Sequence, residues 1–143
     1  MTALLAAALT LSIVGGDSQR GVFSDGGIGF APLVVRVTDR AGRPVSGARV
    51  RFACVAPDEG CFLGSLRGGP SATVATGRDG RAVLGSGKYG VFVYWTRATA
   101  YTRKNPAHVE IVASVVGAAP AVRFDLTPLN PFGLPSNPLY VPE

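Results

Sequence analysis

Hydrophobic and polar residues alternate along two neighbouring runs of the chain, residues 33–38 and 48–54. In the first run Leu33, Val35 and Val37 share one set of positions, and arginine occurs on the other set in both runs. A period of two means that one face of each strand contacts a core while the other faces water. The residues between the runs are rich in Asp, Gly and Pro, which favour turns. The pattern predicts a strand, a turn and a second strand of one antiparallel sheet.

The same alternation recurs along the chain and predicts seven to nine strands joined by short turns. The predicted strands are residues 9–14, 33–38, 48–54, 62–66, 72–76, 81–84, 89–97, 108–116 and 121–126. Residues 15–31 form a long loop in this interpretation, with a short strand at Val22 and Phe23. Gly-Arg-Asp-Gly at 77–80 and the loop at 55–60 each predict a hairpin. Short strands at regular spacing are typical of an antiparallel β-sandwich.

The run at residues 89–97 is apolar on both faces, unlike the other predicted strands. Tyr89, Val91, Val93 and Trp95 share one face, and aromatic residues occupy the other. A strand of this kind is either central in its sheet or covered by something outside the domain.

Both ends of the chain differ in character from the predicted domain at residues 9–127. Residues 1–8 are apolar, and we interpret them as a retained arm, with a remnant of a signal sequence as the alternative. Residues 128–143 carry five prolines, which exclude an interior strand or a helix. The same segment carries six large apolar residues, and we expect these to form an assembly interface: Leu129, Phe132, Leu134, Leu139, Tyr140 and Val141. Docking on a neighbour or on its own domain is favoured over a loose tail.

The formal net charge of +5 raises the question of a nucleic-acid partner. The arginines are spread singly along the sequence, which indicates a solvated surface, and no nucleic-acid partner is expected. The nearest approach to a basic patch lies in a stretch best interpreted as an edge-strand loop, and it consists of Arg97, Arg103 and Lys104 near Tyr94, Trp95 and Tyr101. Its last part contains Tyr101, Arg103 and Lys104. These three residues form a possible ligand loop. No segment is long and apolar enough to predict a membrane span.

The candidate chemistry of the chain is sparse. Cys54 and Cys61 flank a short loop, and a disulfide between them is favoured over two free thiols. Two cysteines and the single histidine, His108, are too few for a closed zinc site. His108 begins a predicted strand with no acidic or nucleophilic motif nearby, so it is interpreted as an ordinary surface or edge residue. Asp58 and Glu59 are interpreted as solvated turn residues, and two further turn aspartates are expected to cap backbone N–H groups. The chain is therefore expected to have no catalytic residues, no metal and no cofactor.

Four stretches resemble the bacterial immunoglobulin-like repeats of invasin and intimin type surface proteins (Big-1-like). They are LSIVGGDSQRG, PLVVRVTDRAGRPVSGARVRF, ATVATGRDGRAVL and VEIVASVVGAAPAVRFDLT, and they span residues 11–127. The resemblance implies an immunoglobulin-like sandwich that serves as a spacer, stalk or adhesive module. Two shorter segments, VTDRAGRPVSGARV and TGRDGRA, are similar to transthyretin-like and carboxypeptidase regulatory domains.

Together these features predict a non-enzymatic structural subunit at a cell surface, in an extracellular filament or on a virion. Its expected partners are protein neighbours, either copies of itself or a capsid, filament or surface protein, in an oligomeric assembly. The alternative is a surface adhesin-type module that recognises a receptor or glycan through its loops. A third hypothesis is an accessory domain of a secreted enzyme.

Overall fold

The computed structural model describes residues 9–21, 28–55, 61–64, 69–85, 90–93 and 109–128. Every regular element within these ranges is a β-strand. The strands are β1 (Thr10–Gly15), β2 (Arg20–Gly21), β3 (Ile28–Phe30), β4 (Leu33–Thr38), β5 (Arg49–Cys54), β6 (Cys61–Leu63), β7 (Ser71–Ala75), β8 (Arg81–Leu84), β9 (Val91–Val93), β10 (Val109–Val115) and β11 (Ala121–Pro128). The all-β class predicted from the alternation is confirmed.

Two larger sheets form a sandwich around one core. The first has the order β1-β4-β8 and the second the order β2-β11-β10-β5-β7. All of these pairings are antiparallel except that of β2 with β11. Taken as strands A, B, C, C′, E, F and G, strands β1, β4, β5, β7, β8, β10 and β11 give sheets A-B-E and G-F-C-C′. This is the strand order of an immunoglobulin-like sandwich.

The core consists of the alternate residues that each strand turns inward. Leu33, Val35 and Val37 of β4 are completely buried, as their period of two predicts. Across the sandwich, Phe52 of β5 and Phe124 of β11 are also completely buried, and their ring centroids lie 6.4 Å apart. Truncation of one such ring to alanine costs about 3–5 kcal/mol in typical cores, so this pair is a main contributor to stability.

The prediction of three hairpins, which would pair β4 with β5, β5 with β6 and β7 with β8, is wrong. β4 and β5 lie in different sheets, as do β7 and β8, so both connections cross the sandwich. β6 pairs with β9 and has no pairing with β5. Alternation determines which side of a strand is buried, and that side is the same whether the next strand lies beside it or in the opposite sheet.

A third, short sheet has the order β3-β9-β6. β3 falls inside the stretch that was expected to be a loop, and the two residues Ala31 and Pro32 separate it from β4. β9 is the described part of the strand predicted at 89–97, and it occupies the middle position of this sheet, which is one of the two alternatives for that strand. Residues 1–8, 22–27 and 129–143 lie outside the described residues, and the boundaries of the two arms stay predictions.

Candidate functional site: the two ends of the sandwich

The strand directions assign the connections to opposite ends of the sandwich. Thr10, where β1 begins, pairs with Thr38, where β4 ends. β11 leaves at the other end, where Leu126 pairs with Val109 at the start of β10. We call the first end, with the connections at 39–48, 76–80 and 116–120, the turn end, and the opposite end the far end. The chain therefore enters the sandwich at the turn end and leaves it at the far end.

At the turn end, the side chain of Thr76 forms hydrogen bonds with the loop at 39–48, which connects β4 of the first sheet to β5 of the second. Its hydroxyl donates to the carbonyl oxygen of Val45 at 2.5 Å and accepts from the amide of Ala48 at 2.9 Å. The backbone of Thr76 adds two more bonds, to Ala48 O at 2.8 Å and from Gly47 N at 2.9 Å. Thr76 is only 5% exposed and is the one buried polar side chain among the described residues. One side chain therefore satisfies two backbone groups that would otherwise lose their partners on burial.

Aspartates organise the two turns beside Thr76, as the sequence predicts. Asp39 Oδ1 accepts from the amides of Ala41 and Arg43, both at 2.9 Å. Asp79 Oδ1 accepts from the amide of Arg81 at 3.0 Å. Such bonds hold a short connection in one conformation without a bound cation.

Gly80, at the end of the turn at 77–80, comes close to β4 and to Pro44 of the loop at 39–48. Its carbonyl oxygen accepts from Val37 N at 2.8 Å, and its own amide donates to Gly77 O at 2.9 Å. Gly80 has a φ of +77°, and a Cβ atom at this position would lie 2.6 Å from the carbonyl oxygen of Val37 and 3.0 Å from Cβ of Pro44. Only glycine fits this conformation and this approach.

The two turns and the strand residues that border them carry five arginines: Arg36, Arg40, Arg43, Arg78 and Arg81. Arg36 pairs directly with Arg81 in the register of β4 and β8, and its Nε donates to the carbonyl oxygen of Asp79 at 3.3 Å. The side chains of Arg43 and Arg81 are 79% and 52% exposed. The sequence places these arginines in two segments some forty residues apart, so their proximity was missed. We call this group the basic end.

At the far end, residues 16–19 connect β1 of the first sheet to β2 of the second, and we call them the polar corner. Their side chains form hydrogen bonds with backbone groups of Asp125 and Ala31. Asp17 Oδ1 accepts from Ser18 N at 2.8 Å and from Asp125 N at 2.9 Å, and Ser18 N also donates to Asp125 O at 3.1 Å. Gln19 Nε2 donates to Gly16 O at 2.7 Å, and its Oε1 accepts from Ala31 N at 2.8 Å. Ser18 has a φ of 59°, unusual for a residue with a side chain. These residues lie in the stretch 15–31 that the sequence predicts to be a loop, and their hydrogen bonds leave no local sequence pattern from which the corner could be predicted.

The sequence-predicted site residues fall mainly outside the described residues. Cys54 ends β5 and Cys61 begins β6, but the side chain of Cys61 is not described, so the disulfide stays a prediction. The other predicted positions also lie outside the described ranges: Tyr101, Arg103, Lys104, Leu129, Phe132, Leu134, Leu139, Tyr140, Val141, His108, Asp58 and Glu59.

Within the described part of the chain, no three His, Cys, Asp or Glu side chains group as metal ligands would. No helix there has the length and apolar character needed to cross a membrane. Comparison of the chain with protein-family models finds no match, and comparison with curated proteins finds none either.

Proposed function

We propose that this protein is a non-enzymatic structural subunit, an immunoglobulin-like module that assembles end to end with its neighbours through its terminal arms. One observation carries the proposal: the chain enters the sandwich at the turn end, beside Thr38, and leaves it at the far end, beside Val109. Segments that continue from opposite ends can contact different neighbours without crossing the body of the domain.

The proline-rich segment that follows β11, residues 129–143, is the proposed contact with the neighbouring module. Fifteen residues of extended chain at about 3.1 Å each span roughly 45 Å. The eight residues of β11 span about 26 Å at roughly 3.3 Å each, which approximates the length of the sandwich. The segment is thus long enough to lie along a neighbouring module, and it carries the six apolar residues that form the predicted interface.

The described sheets offer places for such a segment to pair. Among the described strands, β1 and β8 border the first sheet, and β7 and the two-residue β2 border the second. A border strand presents backbone N–H and C=O groups on one side, and an extended segment can pair with them while alternate side chains enter apolar positions. Prolines limit how many donors the segment supplies, so contacts of the apolar side chains must provide much of the affinity.

Contact between the end of one copy and the body of the next is heterologous. Repeated contacts of this kind form an open filament unless the rotation between copies closes a ring. The proposal accordingly places the protein in a filament or on the surface of a cell or virion, where a Cys54–Cys61 disulfide would be stable. The proposed neighbours are copies of this chain, or a capsid, filament or surface protein.

Removal of the segment tests the proposal. We would compare the full chain with a variant that lacks residues 129–143, using size-exclusion chromatography with light scattering over a range of concentrations. The full chain should form assemblies that grow with concentration, and the truncated chain should elute as a folded monomer. Circular dichroism would verify the β-sheet content of both.

A second variant distinguishes the contribution of the apolar side chains to assembly from that of the length of the segment. It keeps every proline and replaces the six apolar interface residues with serine, so that the segment retains its length and its restricted backbone. We expect this variant to behave as the truncated chain does. Normal assembly of the truncated chain would overturn the role of the segment. A full chain that stays monomeric at every concentration would overturn assembly with copies of this chain and would favour the adhesin-type alternative over a filament of one protein.

A further inference from the structure

The basic end concentrates positive charge at one end of the sandwich. Its five arginines and the two aspartates beside them, Asp39 and Asp79, give a net charge of +3 within two adjoining turns and the strand residues that border them. Arg40 and Arg78 are exposed, and Arg36 is half-buried. The concentration arises from the fold, because residues 36–43 and 78–81 become neighbours only when β4 pairs with β8.

The nearby carboxylates do not neutralise this charge. Asp39 Oδ2 lies 3.7 Å from Arg43 Nε, and Asp79 Oδ2 lies 3.9 Å from Arg81 Nε, which are long and exposed ion pairs. Pairs of this kind contribute little binding energy. The remaining arginines of the group have no ion pair with any described residue.

The pairing of Arg36 with Arg81 carries a cost. Like charges directly opposite each other on neighbouring strands destabilise a sheet. The bond from Arg36 to the Asp79 carbonyl oxygen and the long ion pair of Arg81 with Asp79 offset this repulsion in part. An anionic group bound between the two guanidinium groups would convert this repulsion into attraction. The planar fork of arginine suits two-point contact with sulfate or carboxylate.

The chemistry of the surrounding residues indicates the type of anion. Residues 36–49 and 76–81 contain no Phe, Tyr, Trp or His, so the basic end offers no ring on which a nucleic-acid base could stack. Glycine, serine, alanine and threonine make up most of the other positions. These features fit a partner that presents repeated anionic groups without planar bases.

We propose that the basic end binds an anionic polysaccharide through sulfate or carboxylate groups. In this arrangement Arg40, Arg43 and Arg78 make the outer contacts, and Arg36 with Arg81 makes the inner one. The inference is independent of the terminal arms and goes beyond the proposed structural function, since it gives one end of the module a ligand of its own.

Binding of the full chain to two defined polysaccharides tests the inference. Heparin presents sulfate groups and polygalacturonate presents carboxylates, and affinity would be measured by biolayer interferometry at several salt concentrations. We expect measurable binding at low salt to at least one of the two, with affinity that falls steeply as salt rises. The polymer that binds more tightly identifies the preferred anionic group.

Matched triple variants locate the site. Arg40, Arg43 and Arg78 would be changed to glutamine in one variant, and in the control the exposed Arg20, Arg51 and Arg123 would be changed in the same way. The two variants have equal net charge. The first should bind about tenfold more weakly than the unmodified chain, which corresponds to about 1.4 kcal/mol, and the control should lose much less.

Three outcomes would overturn the inference. Equal losses in both triple variants would show that binding follows net charge alone. No binding to either polysaccharide at low salt would exclude the ligand. Tighter binding of a single-stranded oligonucleotide of equal charge would identify nucleic acid as the partner in place of polysaccharide. None of these results bears on the truncation experiment, because assembly is measured without any polysaccharide.

Discussion

Replacement of Gly80 with alanine should destabilise the sandwich through two separable effects. The first is conformational, because alanine in the left-handed region costs about 1–2 kcal/mol. The second is steric, because the new Cβ atom would lie 2.6 Å from the carbonyl oxygen of Val37. That oxygen belongs to the backbone of a completely buried residue of β4, so it cannot move aside as the end of a flexible side chain could.

Values typical of other proteins give an order of magnitude for the steric effect and for the loss of freedom in the unfolded chain. Overpacking by an added carbon typically costs about 1–3 kcal/mol where the surroundings are rigid. The reduced freedom of the unfolded chain returns about 0.4–1 kcal/mol. The net expectation for Gly80→Ala is a loss of about 2–4 kcal/mol in the free energy of unfolding. This is a large part of the roughly 5–15 kcal/mol that stabilises a typical domain.

Gly42 provides the matched control. Its φ is +81°, close to that of Gly80, but a Cβ atom at this position would meet nothing within 4 Å. Gly42→Ala should therefore show the conformational effect alone, a loss of about 1 kcal/mol. The difference between the two variants isolates the close approach at Gly80.

Urea denaturation followed by circular dichroism measures both variants against the unmodified chain under one set of conditions. Gly80→Ala should be less stable than Gly42→Ala by at least about 1 kcal/mol. Equal midpoints for the two variants, with unchanged slopes, would refute the steric argument. If Gly80→Ala fails to fold while Gly42→Ala folds, the outcome agrees with the expectation in direction.

Substitutions at three further places test two hydrogen-bonded side chains, Thr76 and Asp17, and the ion pair between Glu110 and Arg123, each by the same denaturation assay. Thr76→Val should lose about 2–4 kcal/mol, because it leaves two loop backbone groups without partners, whereas Thr76→Ser should lose less than half as much. A loss of similar size in both would contradict the role of the hydroxyl. Asp17→Ala should lose about 1–2 kcal/mol and Asp17→Asn clearly less, since asparagine keeps an acceptor oxygen. Equal losses would exclude Oδ1 as the important acceptor. Replacement of both Glu110 and Arg123 with glutamine should change stability by less than about 1 kcal/mol, because their 2.8 Å ion pair is exposed. A larger change would show that the pair is coupled to the corner nearby.

The individual strands could be predicted from the sequence to a large extent. The predicted run at 81–84 coincides with β8, and those at 33–38 and 121–126 coincide with β4 and most of β11. The inward faces are also as expected, because burial of every second residue leaves a direct mark in the sequence. β3 was missed because three residues next to a glycine-rich stretch are too few to show a period.

The partners of the strands could not be predicted in the same way. The turn at 77–80 has residues suited to a hairpin, yet it carries the chain from one sheet to the other. Glycine at positive φ permits either path, and the choice depends on which strand can cover the opposite apolar face. The sequence carries that information only in the combined shapes of distant residues.

At the turn end, local contacts could be predicted from the sequence, and contacts between distant segments could not. The roles of Asp39 and Asp79 in their turns were predicted, because a capping carboxylate acts on amides two to four residues away. The basic end was missed, because Arg36 and Arg81 become neighbours only through strand pairing. Local interactions can be read from local sequence, whereas charge density at a surface depends on the topology.

The opposite placement of Thr10 and Pro128 has a mechanical consequence. In a row of modules joined at these two positions, tension would act along the strands, and β1 would have to slide past β4. The bonds between those strands would then be sheared together, whereas a pull across the sheet would open them one after another. Forced unfolding depends on the rate of this step, so the module would resist extension well beyond what its equilibrium stability suggests.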